Sequence, residues 1–289
     1  MTDPHHAIRV LLDTPILFEA GGESVHAPMV DVRVGEAMTK LILDTGSTDH
    51  VFTIELARAA HLDAEPGEPG IDHAGDPVPS WSLVEVPIRI GDLDLGLLDV
   101  VAIDGPAPFA GWGVGGFLSP QHLHPTAFVV MDLLDDRLLI VEGDESALAS
   151  WLEARSPALL RLSLQRMTEH PEIVVQGAID PFTDVPTMLN TGGRGTEFLA
   201  ASIPGLRGTG SHVTGHGVGG GAVLGAMVEG QTLRIGSARL PVPRLFVRDQ
   251  MGSAHGLVGM DVLRGTVLRV SADRRQPVSW LVPRSTATV

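Results

Sequence analysis

The chain has 289 residues, 44% hydrophobic and 19% charged. That is enough apolar material for one large domain or two moderate ones, and too much for a disordered chain. Twenty Lys and Arg against 35 Asp and Glu give a formal charge of −15, aromatics are 4% and tyrosine is absent. The charge has the wrong sign for a phosphate-backbone binder, and little is available to stack on bases, so no nucleic-acid partner is expected. Cysteine is also absent, which excludes disulfides, thiolate metal sites and a cysteine nucleophile.

Along the chain, the N-terminal residues carry no apolar leader. Residues 1–27 read as an N-terminal segment preceding a first β lobe over 28–150 and a second over 151–289. Period-two or short apolar patterns predict strands at Met29–Val34, Lys40–Leu43, Val84–Ile90 and Leu97–Ile103. Further strands are predicted at Ala127–Met131, Arg137–Val141, Glu172–Gln176 and Gln231–Ile235. Helical periodicity is confined to short pieces, Ile54–Leu62 and Glu145–Leu160, the second read as a connector between halves. The longest uncharged run, Gly208–Val228, is broken by glycines and by His212 and His216, and makes a poor membrane helix. No membrane partner is expected, and the chain reads as cytoplasmic.

An internal repeat organises these elements. Leu43-Asp44-Thr45-Gly46-Ser47 in the first half is answered by Leu189-Asn190-Thr191-Gly192-Gly193 in the second. Phe52 and Phe198 each follow eight residues after position 44 or 190. Ile88-Arg-Ile-Gly91 is answered by Leu233-Arg-Ile-Gly236, and Gly113-Val-Gly-Gly116 by Gly256-Leu-Val-Gly259. Two versions of one β unit would bring the two turns together about a pseudo-twofold axis. A buried strand delivers the carboxylate of Asp44 rigidly, Thr45 can tie the turn down, and Gly46 lets backbone N–H groups approach closely.

On these residues the chain resembles the pepsin-like and retropepsin-like aspartic peptidases, in their single-chain, two-lobed form. Asp44-Thr45-Gly46-Ser47 matches the catalytic motif, and Leu257-Val258-Gly259 matches the segment packed behind such a turn. The resemblance implies a mainly β, two-lobed pepsin-like (acid protease) β-barrel fold with pseudo-twofold symmetry and short helices. It implies an endopeptidase hydrolysing an extended peptide in the inter-lobe cleft, with Asp44 and position 190 as the catalytic pair. Thr45, Gly46, Ser47, Thr191 and Gly192 would support the turns, and neither cofactor nor metal is called for. One chain supplies both turns, so a monomer is expected. Two carboxylates sharing a proton are the family's device for activating water.

Position 190, however, is Asn. An amide fills the slot but cannot hold or relay the shared proton, so strong impairment is expected, on the scale of 10⁴-fold for similar Asp-to-Asn changes (~10⁴). Without its like-charge neighbour, Asp44 is expected to titrate as an ordinary or depressed carboxylate. The substitution is either an isosteric knock-out or the mark of a chain that has abandoned hydrolysis. In the latter case it binds peptide without cutting, or uses one carboxylate for proton transfer. With no tyrosine for a flap, Trp81 is the candidate there for substrate binding, and Thr214–Ala222 a loop over the cleft. Gly215-x-Gly217-x-x-Gly220 lacks the helix and acid of a dinucleotide site, His212/His216 and His122/His124 read as loop histidines, and Asp135-Asp136-Arg137 reads as a turn. No Gly-x-Ser-x-Gly elbow accompanies a serine.

Overall fold

The structure, a computed structural model, describes residues 8–252 and 254–284. Its chain is mainly β, in two sheet-rich lobes joined by a third sheet that both share. The first-lobe sheet is built around strands Glu23–Val34, Ala37–Leu43, Val114–Leu118, Val51–Thr53, Leu93–Ile103 and Ser80–Ile90, in that spatial order. The second-lobe sheet runs Val174–Ile179, Val185–Leu189, Gly256–Val258, Thr196–Leu199, Ala238–Arg248, Ala222–Ile235 and Thr209–His216. In each, the strand leading into position 44 or 190 runs parallel to a short strand from late in its lobe. That arrangement buries the delivering strand on both sides, so Leu41, Leu43 and Leu189 are fully enclosed.

The shared six-stranded sheet takes Arg9–Pro15, Arg137–Glu142 and Phe128–Asp132 from one side. It takes Val267–Val270, Val278–Pro283 and Leu159–Leu164 from the other. Its central pairing, Val129 opposite Val270 and Met131 opposite Leu268, welds the halves. One continuous apolar core passes through it, from Val30 and Phe52 to Phe198, Leu245 and Trp280. Trp280 is fully buried, and its indole N–H donates to Thr266 Oγ1 at 2.9 Å, so the ring carries no unsatisfied donor. The strand Arg9–Pro15 makes part of the N-terminal segment an edge of this sheet.

Two helices depart from the expected lengths for local reasons. Ile54–Ala59 starts where the Thr53 hydroxyl accepts from Leu56 N–H, and ends before His61, which has a positive φ of 56°. Glu145–Arg155 is capped by Asp144, whose Oδ1 accepts from Ala147 N–H at 2.8 Å. It stops short of Leu160 because Pro157 disfavours a helical Ser156, and the chain turns into strand Leu159–Leu164. The glycine repeat also shifts in register. Gly116 and Gly256 are the true counterparts, each opposite the buried phenylalanine of its lobe, Phe52 or Phe198. Among the described residues no helix is long and apolar enough to cross a membrane.

Candidate active site

Strand Ala37–Leu43 ends at Asp44, whose N–H donates to Leu118 O at 2.9 Å; strand Val185–Leu189 ends at Asn190, whose N–H donates to Val258 O at 2.9 Å. Each turn then closes on its own side chain. Asp44 Oδ1 accepts from Gly46 N–H at 2.8 Å, and Asn190 Oδ1 accepts from Gly192 and Gly193 N–H at 2.9 and 3.0 Å.

The turns are locked to one another by their threonines, both fully buried. Thr45 Oγ1 donates to Leu189 O at 2.5 Å, and Thr191 Oγ1 donates to Leu43 O at 2.6 Å. Each hydroxyl also accepts the other threonine's N–H, at 3.1 Å in both directions. Both hydroxyls and both N–H groups of the pair are used. At either position a serine would leave a methyl-sized space empty, and a valine would orphan two backbone groups, one carbonyl and one N–H.

The lock brings Asp44 and Asn190 together. The Gly192 N–H reaches the Asp44 carboxyl as well as its own turn. A β-carbon on Gly46 would stand 2.7 Å from Asn190 Cγ and Nδ2, and one on Gly192 would run into the Asp44 carboxyl. Only glycine permits this approach. Because Asn190 Oδ1 takes both backbone N–H groups, its NH₂ is the end turned toward the opposite turn. Ser47 points elsewhere: its hydroxyl donates to Asp49 O at 2.7 Å.

Asp44 departs from the expectation of an ordinary or depressed carboxyl. Burial pushes its pKa up, against the pull of the Gly46, Gly192 and Ser47 N–H groups and the charge of His73. Desolvation outweighs the loss of a like-charged neighbour. His50 lies behind the first turn, where its Nδ1 accepts from Ser119 N–H at 3.2 Å. Desolvation there holds its pKa at about 4, with the neighbouring His122 charge acting in the same direction.

Two hairpins meet near the pair. Strands Gly70–Ile71 and Pro77–Val78 carry a tip in which Asp72 Oδ1 accepts from Ala74 and Asp76 N–H at 2.9 and 3.0 Å. In the second lobe, Thr209–His216 and Ala222–Ile235 carry a glycine tip, and Gly219 N–H donates to Asp72 Oδ2 at 3.0 Å. A side chain on Gly217 would collide with the Asp72 carboxylate. His73 extends to the second lobe, where its Nε2 lies 2.9 Å from Arg248 Nη1 and 3.3 Å from Glu197 Oε2. From the first lobe, His26 Nε2 lies 3.4 Å from Gly192 O.

Thus Asp44, Thr45, Gly46, Asn190, Thr191 and Gly192 are brought together. Trp81 is not. Its strand pairs with Leu93–Ile103 and with Glu65–Pro66, which turns the indole over the helix, lining a surface groove with Ile54, Leu62 and Ala64. The first-lobe hairpin that reaches the second lobe is 70–78, whose short polar strands gave no period-two signal. His73, Arg248 and Glu197 likewise carried no local motif.

Residues 30–116 match the family model described as aspartyl protease. Over the whole chain, the crystal structure of an aspartic proteinase from Irpex lacteus superposes with a TM-score of 0.56 and 12% identity. The match covers 98% of this chain and 99% of that one. The chain has the pepsin-like aspartic peptidase fold. No curated protein matches its sequence. The family match falls on the first lobe, which holds the intact Asp-Thr-Gly-Ser turn.

Proposed function

We propose that the chain is an aspartic-type endopeptidase scaffold that takes an extended peptide in the cleft between its lobes, and that Asn190 leaves it inactive or strongly impaired. The observation that carries this reading is the reciprocal lock between Thr45 and Thr191, which holds Asp44 and Asn190 face to face. Asp44 is the group available to take a proton from an attacking water. Asn190 presents a fixed N–H donor toward the carbonyl oxygen on which charge develops. It thereby imitates the neutral partner of a carboxylate pair in hydrogen bonding, but it has no proton to pass to the leaving amine.

The experiment is a digest of a mixed peptide library read by mass spectrometry. Asn190→Asp is expected to cut peptides, and Asp44→Asn in that background to abolish cutting. Absence of cleavage by folded Asn190→Asp between pH 4 and pH 7.5 sinks the peptidase reading. The second reading is a pseudopeptidase that binds without cutting; Asn190 itself favours it, since its amide oxygen accepts two backbone N–H groups and seats the side chain in the slot. Single-carboxylate proton transfer would instead exchange solvent deuterium into the Cα of a bound peptide. The proposal takes the chain as a monomer, because one chain supplies both turns.

A further inference from the structure

The walls flanking the two turns are not alike. In each lobe a short strand runs parallel to a long one: Val51–Thr53 against Val101–Ile103, and Thr196–Leu199 against Leu245–Arg248. Aligning the buried Phe52 with Phe198, the lobes place Val51 and Ile103 where the second has Glu197 and Arg248. The first wall is apolar. The second carries an ion pair, Arg248 Nη1 to Glu197 Oε2 at 2.8 Å, with side chains only 7% and 4% exposed. Desolvation of such a pair is expensive, so it is weak evidence for stability. Its place beside the Asn190 turn gives it a different use. Strand Thr196–Leu199 pairs with Gly256–Val258, which in turn supports Asn190, and the first-lobe hairpin comes down on the pair through His73.

We propose that Glu197 and Arg248 form a specificity site for a neutral amide side chain, Asn or Gln, of the bound peptide. This rests on the peptide-cleft reading above. His73 Nε2 marks the place such a group would take, 2.9 Å from the guanidinium and 3.3 Å from the carboxylate; one nitrogen cannot accept from Arg248 and donate to Glu197 together, whereas an amide has an atom for each. The hairpin must lift His73 out for a peptide side chain to enter. An amide offers its C=O to Arg248 and its NH₂ to Glu197 at once. A carboxylate side chain would face Glu197, an ammonium or guanidinium would face Arg248, and an alkyl side chain would strip water from both without replacing it.

The test is affinity selection from a library of ten-residue peptides, N-acetylated and C-amidated, with bound peptides sequenced by mass spectrometry. The chain is expected to enrich Asn and Gln at one position over Asp, Glu, Lys and Arg by at least about tenfold, the scale of one hydrogen bond to a buried charge. Glu197→Val with Arg248→Ile, which copies the first-lobe wall, should move that position to Val, Ile and Leu and leave the preferences elsewhere unchanged. Glu197→Gln, close to isosteric, should move it to Asp and Glu, because Arg248 is then uncompensated. His73→Ala should tighten amide-containing peptides by vacating their place. If the chain and these variants select the same residues at every position, the specificity site is overturned while peptide binding stands. If the folded chain enriches no peptide at all, the specificity site and the peptide-cleft reading fall together.

Discussion

The two lobes build the same turn and finish it differently. Behind each turn, the residue after the supporting strand donates its N–H to a side chain of the lobe. In the first, Ser119 N–H goes to His50 Nδ1 at 3.2 Å; in the second, Gly259 N–H goes to Thr196 Oγ1 at 3.4 Å. Thr196 is in turn bound by Asp261, whose Oδ1 takes its hydroxyl at 2.8 Å. One backbone hydrogen bond is thus met by a ring nitrogen or by a hydroxyl, provided an acceptor stands at the right depth. What the lobes keep identical is the reciprocal threonine lock; what they vary is the charge around it. Asp44 is answered by Asn190, and the apolar Val51 and Ile103 of the first lobe are answered by Glu197 and Arg248 at the equivalent positions of the second. Backbone geometry is shared, and chemistry is assigned lobe by lobe.

Making the turns chemically equal should have the largest effect. In the Asn190→Asp variant the two carboxyls would share a proton. Library cleavage is expected to exceed that of the Asp44→Asn, Asn190→Asp double variant by about 10⁴-fold, with a bell-shaped pH–rate profile. A flat profile would show that the new carboxylate does not act with Asp44.

Breaking the lock on one side comes next. Thr45→Ala and Thr191→Ala each leave a buried carbonyl and a buried N–H unpaired, at a cost of about 2–5 kcal/mol. Equal losses from the two are expected in urea unfolding, because the hydrogen bonds are reciprocal. Unequal losses would mean that one lobe holds the turn without the other.

The two acceptors behind the turns should differ in their response to acid. His50 is neutral in the fold down to about pH 4, whereas in the unfolded chain it binds a proton below its ordinary value of 6.5. Its contribution is therefore fully present above pH 6.5 and is lost as pH falls toward 4, by roughly 3 kcal/mol in all. His50→Thr, which copies the second lobe, should flatten the melting temperature across that window even if it lowers it overall. A slope unchanged by the substitution would assign the acid sensitivity to other groups.

The smallest effect concerns Asp44 alone. Burial raises its pKa, so the folded state favours its protonated form, and its relative contribution is greatest below pH 3.8 and declines as pH rises through the raised value. Asp44→Asn should therefore melt slightly higher than the parent at neutral pH and lose that advantage in acid. A variant less stable at pH 7 would show that the hydrogen bonds from Gly46 and Gly192 outweigh burial.

The repeat, the mainly β class and the two turns were legible in the sequence for a physical reason. A buried delivering strand, a threonine that must bond across to its twin and a glycine that must admit the opposite side chain are each demanded by contacts too close for other residues. Leu43 to Gly46 and Leu189 to Gly192 therefore spell the site locally. The same constraint makes Phe52 and Phe198 recur, since each packs against a glycine, Gly116 or Gly256, of its supporting strand. His73, Glu197 and Arg248 obey no such local rule. They lie on three separate elements, and only the closure of one lobe's hairpin onto the other lobe's wall brings an imidazole, a carboxylate and a guanidinium within hydrogen-bond reach. The pKa of Asp44 was likewise beyond the sequence, because it depends on how much water the assembled lobes exclude. Sequence determined which residues could make the turns; the packing of one lobe against the other decided what surrounds them.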